Sequence, residues 1–178
     1  MSAAPKSSNL DATFTTWIFL LSCAGFEPAD ERVAGACRAL REAGDGADRE
    51  ALAQDLLGML RERVLLDEPS ASAVGALTFG LLGAPVATDL GQADDREERL
   101  RALRRYQFAR KLPWIARIID RAPDGQVGAR WVMVEQVAQT VEIMDPYPWD
   151  DVDERFALPI TDFMVRWELA GRESVRIA

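Results

Sequence analysis

Histidine is absent from this sequence of 178 residues, and its absence limits the available chemistry more than any other property of the composition. Without an imidazole the chain cannot form a Ser-His or Cys-His pair, and no histidine can act as an acid, a base or a metal ligand. A large share of hydrolase mechanisms is therefore excluded.

Cysteine is scarce too, and the 29 acidic residues outnumber the 21 basic ones. The sequence contains two cysteines, Cys23 and Cys37, which are too few for a disulfide framework or a zinc cluster. Both lie in apolar helical stretches, where we expect buried free thiols. The net charge of −8 argues against a nucleic-acid partner, which rewards a basic surface. With no phosphate-binding glycine loop, metal-ligand cluster or redox pair, we expect no cofactor and no metal.

The residues that are present have the composition of a soluble globular protein, with 48% hydrophobic and 28% charged residues. The length suits one domain of ordinary size. No internal repeat and no long linker divides the sequence, so we expect a single domain over residues 1–178. Residues 1–10 are small and polar, which is typical of a loose arm.

The longest nearly uncharged run lies in "DATFTTWIFLLSCAGF", residues 11–26, and two interpretations are open. It could be a signal segment cleaved before a lipid-modified Cys23, but one lysine precedes the run and Asp11 stands at its start, whereas signals have a basic front. The alternative is a buried first helix, with Asp11 as its N-cap and Gly25 as its stop. We prefer the buried helix, and with it a cytoplasmic protein that does not contact a membrane.

The remaining sequence changes character about two thirds of the way along. Apolar residues recur at helical spacing in the first part, and strand-like alternation follows. We predict helices over 28–41, 48–63, 70–82 and 94–111. We predict strands over 113–120, 129–137 and 140–145, then a helix over 160–171 capped by Thr161, and a closing strand over 174–178. This order indicates an α+β fold in which a helical N-terminal two thirds packs on a C-terminal antiparallel sheet.

Carboxylates cluster in "DPYPWDDVDE", which contains Asp145, Asp150, Asp151, Asp153 and Glu154. Oxygen ligands of this kind suit calcium or magnesium. The spacing is not that of an EF-hand and the loop lacks the required glycine, so we interpret the cluster as a solvated acidic turn and not as a metal site.

Arginines concentrate between Arg96 and Arg110, interleaved with acidic residues. Such a helix is usually exposed and paired with its own charges, but it could also dock an acidic partner through Arg104 and Arg105. Trp149 lies in a polar loop, and with Tyr147 it is the other candidate for contact with a peptide or protein partner.

The C-terminal third, "ARWVMVEQVAQTVEIMDPYPWDDVDERFALPITDFMVRWELAG", resembles the end of the papain-like cysteine peptidases that process double-glycine leader peptides. These domains stand at the front of bacterial bacteriocin-exporting ABC transporters. In that family a catalytic His opens a strand, an apolar hairpin leads to Asp-Pro, and a short helix ends in Phe-x-x-x-Trp. Asp145-Pro146, Phe163 and Trp167 match this order, and "LPWIA" at 112–116 matches a family strand. The resemblance implies a papain-like fold with an extra helical segment within 28–111.

The opening stretch is also similar to the family's first helix, where Asp-Cys-Gly begins an apolar run. The residues that differ are the catalytic ones. Ala12 stands where the family has its nucleophilic cysteine, Thr13 replaces the glycine, and Arg130 stands where the family has its histidine. Asp145 remains at the position of the acid that orients the histidine. No glutamine for an oxyanion hole precedes Ala12.

Because a thiolate and an imidazole carry this chemistry, the resemblance implies a pseudopeptidase that is not an enzyme and that binds a peptide or protein. We expect Arg130 to form a buried ion pair with Asp145. Two alternatives stay open. One is an enzyme with carboxylate-based chemistry in the same cleft, using Asp145 and Glu135. The other is a lipid-anchored accessory protein that begins at Cys23. The sequence does not indicate an oligomeric state.

Overall fold

Helices and an antiparallel sheet make up the part of the chain that the computed structural model describes, which is residues 10–45, 48–65, 70–121, 125–145 and 155–178. The helices are α1 (Leu10–Cys23), α2 (Glu31–Ala43), α3 (Asp48–Leu65), α4 (Ala71–Leu82), α5 (Arg96–Arg110) and α6 (Ile160–Leu169). The strands are β1 (Val86–Ala87), β2 (Trp114–Arg121), β3 (Val127–Val137), β4 (Thr140–Met144), β5 (Arg155–Pro159) and β6 (Ser174–Ile177).

The strands form one sheet in the order β1-β6-β2-β3-β4-β5, with every neighbouring pair antiparallel. The longest pairing joins β2 to β3, from Trp114 opposite Val134 to Arg121 opposite Val127. Strand β6 comes last along the chain and lies between β1 and β2. The predicted combination of helices with an antiparallel sheet is therefore confirmed. The short strands β1 and β5 were not predicted.

Alternation along β2 and β3 gives the sheet two apolar faces. Ile115, Trp131 and Met133 belong to a core shared with α1, α2, α3 and α4. Trp114 and Val132, one position away in each strand, belong to a second core shared with α5 and α6. The sheet thus lies between two helical layers. The prediction placed the helices in one N-terminal body, whereas α5 packs with α6 on the opposite face.

Helix α1 is the most buried helix of the first layer. Phe14, Trp17, Ile18 and Leu21 have no exposed surface, and the indole Nε1 of Trp17 donates to the carbonyl oxygen of Pro113 at 2.9 Å. The structure therefore places the apolar run in the protein core.

The cysteine prediction is half right. Cys37 on α2 is buried, but Cys23 is exposed at the last position of α1. The helical periodicity that buries Leu21 turns Cys23 outward, because the two positions lie roughly 200° apart around the helix axis.

Two predicted caps are wrong. Helix α1 begins at Leu10, so Asp11 lies inside its first turn. Helix α6 begins at Ile160, so Thr161 also lies inside the helix, and Pro159 stands at the cap position with no side-chain bond. Elsewhere Asp30, Ser70 and Asp95 accept hydrogen bonds from free amides at the starts of α2, α4 and α5, as N-caps do.

In the described part of the chain, no helix is both long enough and apolar enough to cross a membrane.

Candidate functional site

A long-range hydrogen bond holds the first turn of α1 against β3. The hydroxyl of Thr13 donates to the carbonyl oxygen of Trp131 at 2.9 Å, and both groups are buried. These two residues directly follow Ala12 and Arg130. The structure therefore brings together the two chain segments that carry the predicted cysteine and histidine positions.

Asp11 fixes the same turn from the other side. Its Oδ2 accepts from Nε of Arg61 on α3 at 2.8 Å, and its Oδ1 accepts from the backbone amide of Ala12 at 2.9 Å. Ala12 is half-buried between these anchors. The start of α1 is thus tied to α3 by a salt bridge and to β3 by a hydroxyl.

Arg130 and Asp145 form a buried ion pair. Nε and Nη2 of Arg130 both donate to Oδ2 of Asp145, at 3.0 and 2.7 Å. Each side chain is 3% exposed. Arg130 opens the buried part of β3 and Asp145 directly follows β4, so the hairpin register sets the pair. Removing two charges from water is costly, and the cost is offset only because the two groups meet in close hydrogen-bonded contact.

This arrangement cannot perform thiolate chemistry. Ala12 offers no nucleophile, and a guanidinium stays protonated in proteins, so Arg130 cannot act as a general base. At the position predicted to match the histidine, Arg130 carries a guanidinium whose Nε and Nη2 both donate to Asp145.

The carboxylates of the alternative enzyme hypothesis are both engaged by arginines. Asp145 is bound by Arg130, and Glu135 accepts from Arg155 at 3.3 and 3.4 Å. A carboxylate that acts as an acid or a nucleophile must be free to approach its substrate. The observed contacts are those of ion pairs and give this alternative no support.

The predicted partner contacts have mixed outcomes. Arg104 and Arg105 are exposed on α5. Tyr147 and Trp149 lie outside the described residues, as do Asp150, Asp151, Asp153 and Glu154. The interpretation as a solvated turn is wrong for Asp145, because its ion pair is buried. Among the residues with a described structure, no group of three or more acids or cysteines could hold a metal ion.

A groove between α2 and α3 was missed by the sequence analysis. Its volume is about 500 Å³, and Val33 and Met59 line it together with several charged residues. At its rim Asp30 pairs with Arg63, and the hydrogen bond from Arg63 lowers the pKa of Asp30. The groove arises from the relative placement of α2 and α3. A sequence pattern contains little information about that placement and therefore did not indicate the groove. Gly58, which has open space where a side chain would stand, is the one local signal.

Comparisons with known proteins give little further information. No family model matches the sequence, and no curated protein matches it. Among solved structures, a similar chain comes from a crystal structure described as a candidate C39-like peptidase from Bacillus anthracis, with 12% identity and a TM-score of 0.45. The match covers 61% of this chain and 58% of that one, so the chain spans less than two thirds of the length of the protein it resembles. At this distance the similarity carries no argument about activity.

Proposed function

We propose that this protein is a catalytically inactive papain-like domain that binds a peptide or protein segment. It would act in the cytoplasm as an adaptor, with residues 1–178 as one domain and residues 28–111 containing an additional helical segment. The observation that carries the proposal is the bond between Thr13 and Trp131. That bond sets Ala12, whose side chain has no nucleophile, beside a strand whose Arg130 is bound to Asp145.

The physical argument concerns what the site can hold. A papain-like cleft binds an extended peptide between a helix start and a strand, and main-chain hydrogen bonds give the affinity. Cleavage also needs a thiolate and a proton shuttle, and the residues at those positions provide neither. Binding without turnover is the function that remains.

The test uses a synthetic peptide that ends in Gly-Gly, labelled with a fluorophore at its N-terminus. We expect binding that saturates in fluorescence anisotropy, and an unchanged peptide mass after prolonged incubation. A scrambled peptide of the same composition should bind at least about tenfold more weakly, a difference of about 1.4 kcal/mol.

A variant tests whether the peptide binds in the cleft. Ala12→Phe puts a large side chain at the half-buried start of α1 and should abolish peptide binding. Ala109→Phe, at an exposed position of α5, is the matched control and should bind normally. Circular dichroism checks that both variants are folded. Peptide cleavage by the native chain that is lost in Asp145→Asn would overturn the proposal in favour of carboxylate chemistry.

A further inference from the structure

Helix α5 has a row of exposed side chains that do not pack against the rest of the protein. Arg101, Arg104, Arg105 and Phe108 follow each other at intervals of three, one and three residues, which puts them on one side of a helix. All four are exposed, while Leu103 and Tyr106 on the opposite side are buried in the second core. We call these four residues the α5 stripe. It is about 10 Å long at 1.5 Å per residue.

The arginines of α5 whose side chains the structure describes divide into two groups. Near the start of the helix, Arg96 and Arg99 both bind Glu168 on α6. Arg101, one turn later, binds Glu97. Across the described part of the chain, neither Arg104 nor Arg105 has an ion-pair or hydrogen-bond partner for its side chain. Their guanidinium groups together offer ten N–H donors to solvent, since each carries five.

Phe108 adds apolar surface directly after these guanidinium groups. Its side chain is 85% exposed, whereas Phe79 on α4, the next most exposed aromatic among the described residues, is 56% exposed. A single exposed aromatic residue needs no explanation. An exposed aromatic beside two arginines without partners is a different observation, because arginine and aromatic residues are enriched where protein interfaces gain most of their binding energy.

We propose that the α5 stripe docks an acidic segment of a partner protein, in which carboxylates flank one apolar side chain. The carboxylates would bind Arg104 and Arg105 in the two-pronged geometry that guanidinium groups favour. The apolar side chain would cover Phe108. The charge of the stripe opposes that of the chain, which carries −8 overall. A long polyphosphate backbone would extend onto the surrounding acidic surface and be repelled there, whereas a short acidic segment would be confined to the stripe. Glu97 and Glu98 at the start of α5 would repel an acidic segment and so fix its position on the helix.

This inference does not depend on the proposed cleft, which lies at α1 and β3. The probe is a fluorescein-labelled peptide in which glutamates flank one central phenylalanine, and its counterpart has glutamine at every glutamate position. We expect the acidic peptide to bind and the glutamine peptide to bind at least about tenfold more weakly. Raising the salt concentration from about 0.05 M to about 0.5 M should also lower the affinity for the acidic peptide, because salt screens the attraction between exposed charges.

Variants locate the site. Arg104→Glu with Arg105→Glu should reduce the affinity for the acidic peptide by at least about tenfold, and Phe108→Ala should reduce it several-fold. The matched controls are Arg32→Glu with Arg121→Glu, which change the net charge equally at exposed positions elsewhere, and Phe79→Ala. These controls should bind as the native chain does.

Three results would overturn the proposal. The first is an equal loss of binding in the stripe variants and in the controls, which would show a response to net charge alone. The second is binding of single-stranded DNA as tight as that of the acidic peptide. The third is self-association of the native chain in sedimentation experiments that the stripe variants abolish, which would make the stripe a contact between copies.

Discussion

The ion pair between Arg130 and Asp145 is the residue-scale feature with the largest expected effect on stability. Both side chains are almost fully buried, so removal of one leaves the other charged and without its partner in a medium of low dielectric constant. A salt bridge at the surface has no such consequence, because water replaces the missing group.

We expect Arg130→Ala to lower the free energy of unfolding by about 3–5 kcal/mol in denaturant titrations. The double change Arg130→Met with Asp145→Leu should be much closer to the native chain, because it removes both buried charges. Arg38→Ala breaks the exposed pairs with Glu27 and Glu31 and should cost less than about 1 kcal/mol. If Arg130→Ala is as mild as Arg38→Ala, the buried pair does not persist in solution.

Gly91 marks a close backbone approach. A Cβ at this position would lie 2.3 Å from the carbonyl oxygen of Arg172 and 2.7 Å from its Cβ. Arg172 itself adopts a left-handed backbone with φ of 60°, which is uncommon for a residue other than glycine.

Gly91→Ala should therefore destabilise the protein by about 1–3 kcal/mol in thermal or chemical unfolding, as overpacking does. Gly80, an exposed residue inside α4, has open space around it, and a Cβ added there would meet no heavy atom within 4 Å. Gly80→Ala should stabilise by about 0.5–1 kcal/mol, because alanine loses less entropy in a helix. A neutral Gly91→Ala would mean that the two loops are farther apart in solution than these distances indicate.

At the scale of elements, Glu168 joins α5 to α6. It accepts from Arg96 and Arg99, and the hydrogen bond from Arg96, supported by the one from Arg99, lowers its pKa from 4.5 to about 2. The folded pKa is below the unfolded one, so the folded state is stabilised above pH 4.5, and this stabilisation is lost as the pH falls towards 2.

We expect Glu168→Gln to melt at a lower temperature than the native chain at pH 7, with the difference shrinking between pH 4.5 and 2. Thermal melts across this range measure it. Glu98→Gln, on the exposed side of α5, should show no such convergence. A difference for Glu168→Gln that stays constant down to pH 2 would contradict the lowered pKa.

The contact between α1 and β3 includes a buried hydrogen bond from the Thr13 hydroxyl. Thr13→Val keeps the shape but leaves the buried carbonyl of Trp131 with one bond fewer, so we expect a loss of about 1–3 kcal/mol in unfolding free energy. Thr13→Ser keeps the hydroxyl and should recover most of this loss. Equal destabilisation by valine and serine would assign the effect to packing of the methyl group.

On the scale of the whole molecule, the rates at which the two cysteines are modified measure how often the packing of the helical layer opens. Burial raises the pKa of the Cys37 thiol, and the thiolate is the reactive form. Ellman's reagent should modify the exposed Cys23 quickly and Cys37 only after denaturant is added. Rapid modification of both in the native protein would show that α2 opens readily.

The sequence predicted the main helices and the central strands because their apolar spacing is long and regular, as in 48–63 and 129–137. It also indicated the ion pair of Arg130 and Asp145, which the structure forms. It did not predict β1, which has two residues, or β5, in which a proline ends a short run. Strands this short are held by their neighbours, so local patterns contain little of the information that forms them.

The side of the sheet on which α5 packs was also beyond the sequence analysis. Its buried residues Leu103 and Tyr106 would suit either face, and the choice depends on tertiary contacts such as that of Arg99 with Glu168. The same limit applies to the groove between α2 and α3. The relative placement of two helices is a property of the assembled core and not of either helix.

The position of β6 has a consequence for the order of events during synthesis. Residues 174–177 pair with β2 on one side and β1 on the other. The sheet therefore cannot be completed before these last residues, which form the inner strand β6, have left the ribosome. The contact between Thr13 and Trp131 spans 118 positions, and such distant contacts slow folding. Helices α2 and α3 can cover part of α1 soon after they emerge. The side of α1 that meets β3 stays exposed in the nascent chain until more than a hundred further residues have emerged, and this interval is the one in which a chaperone would be needed.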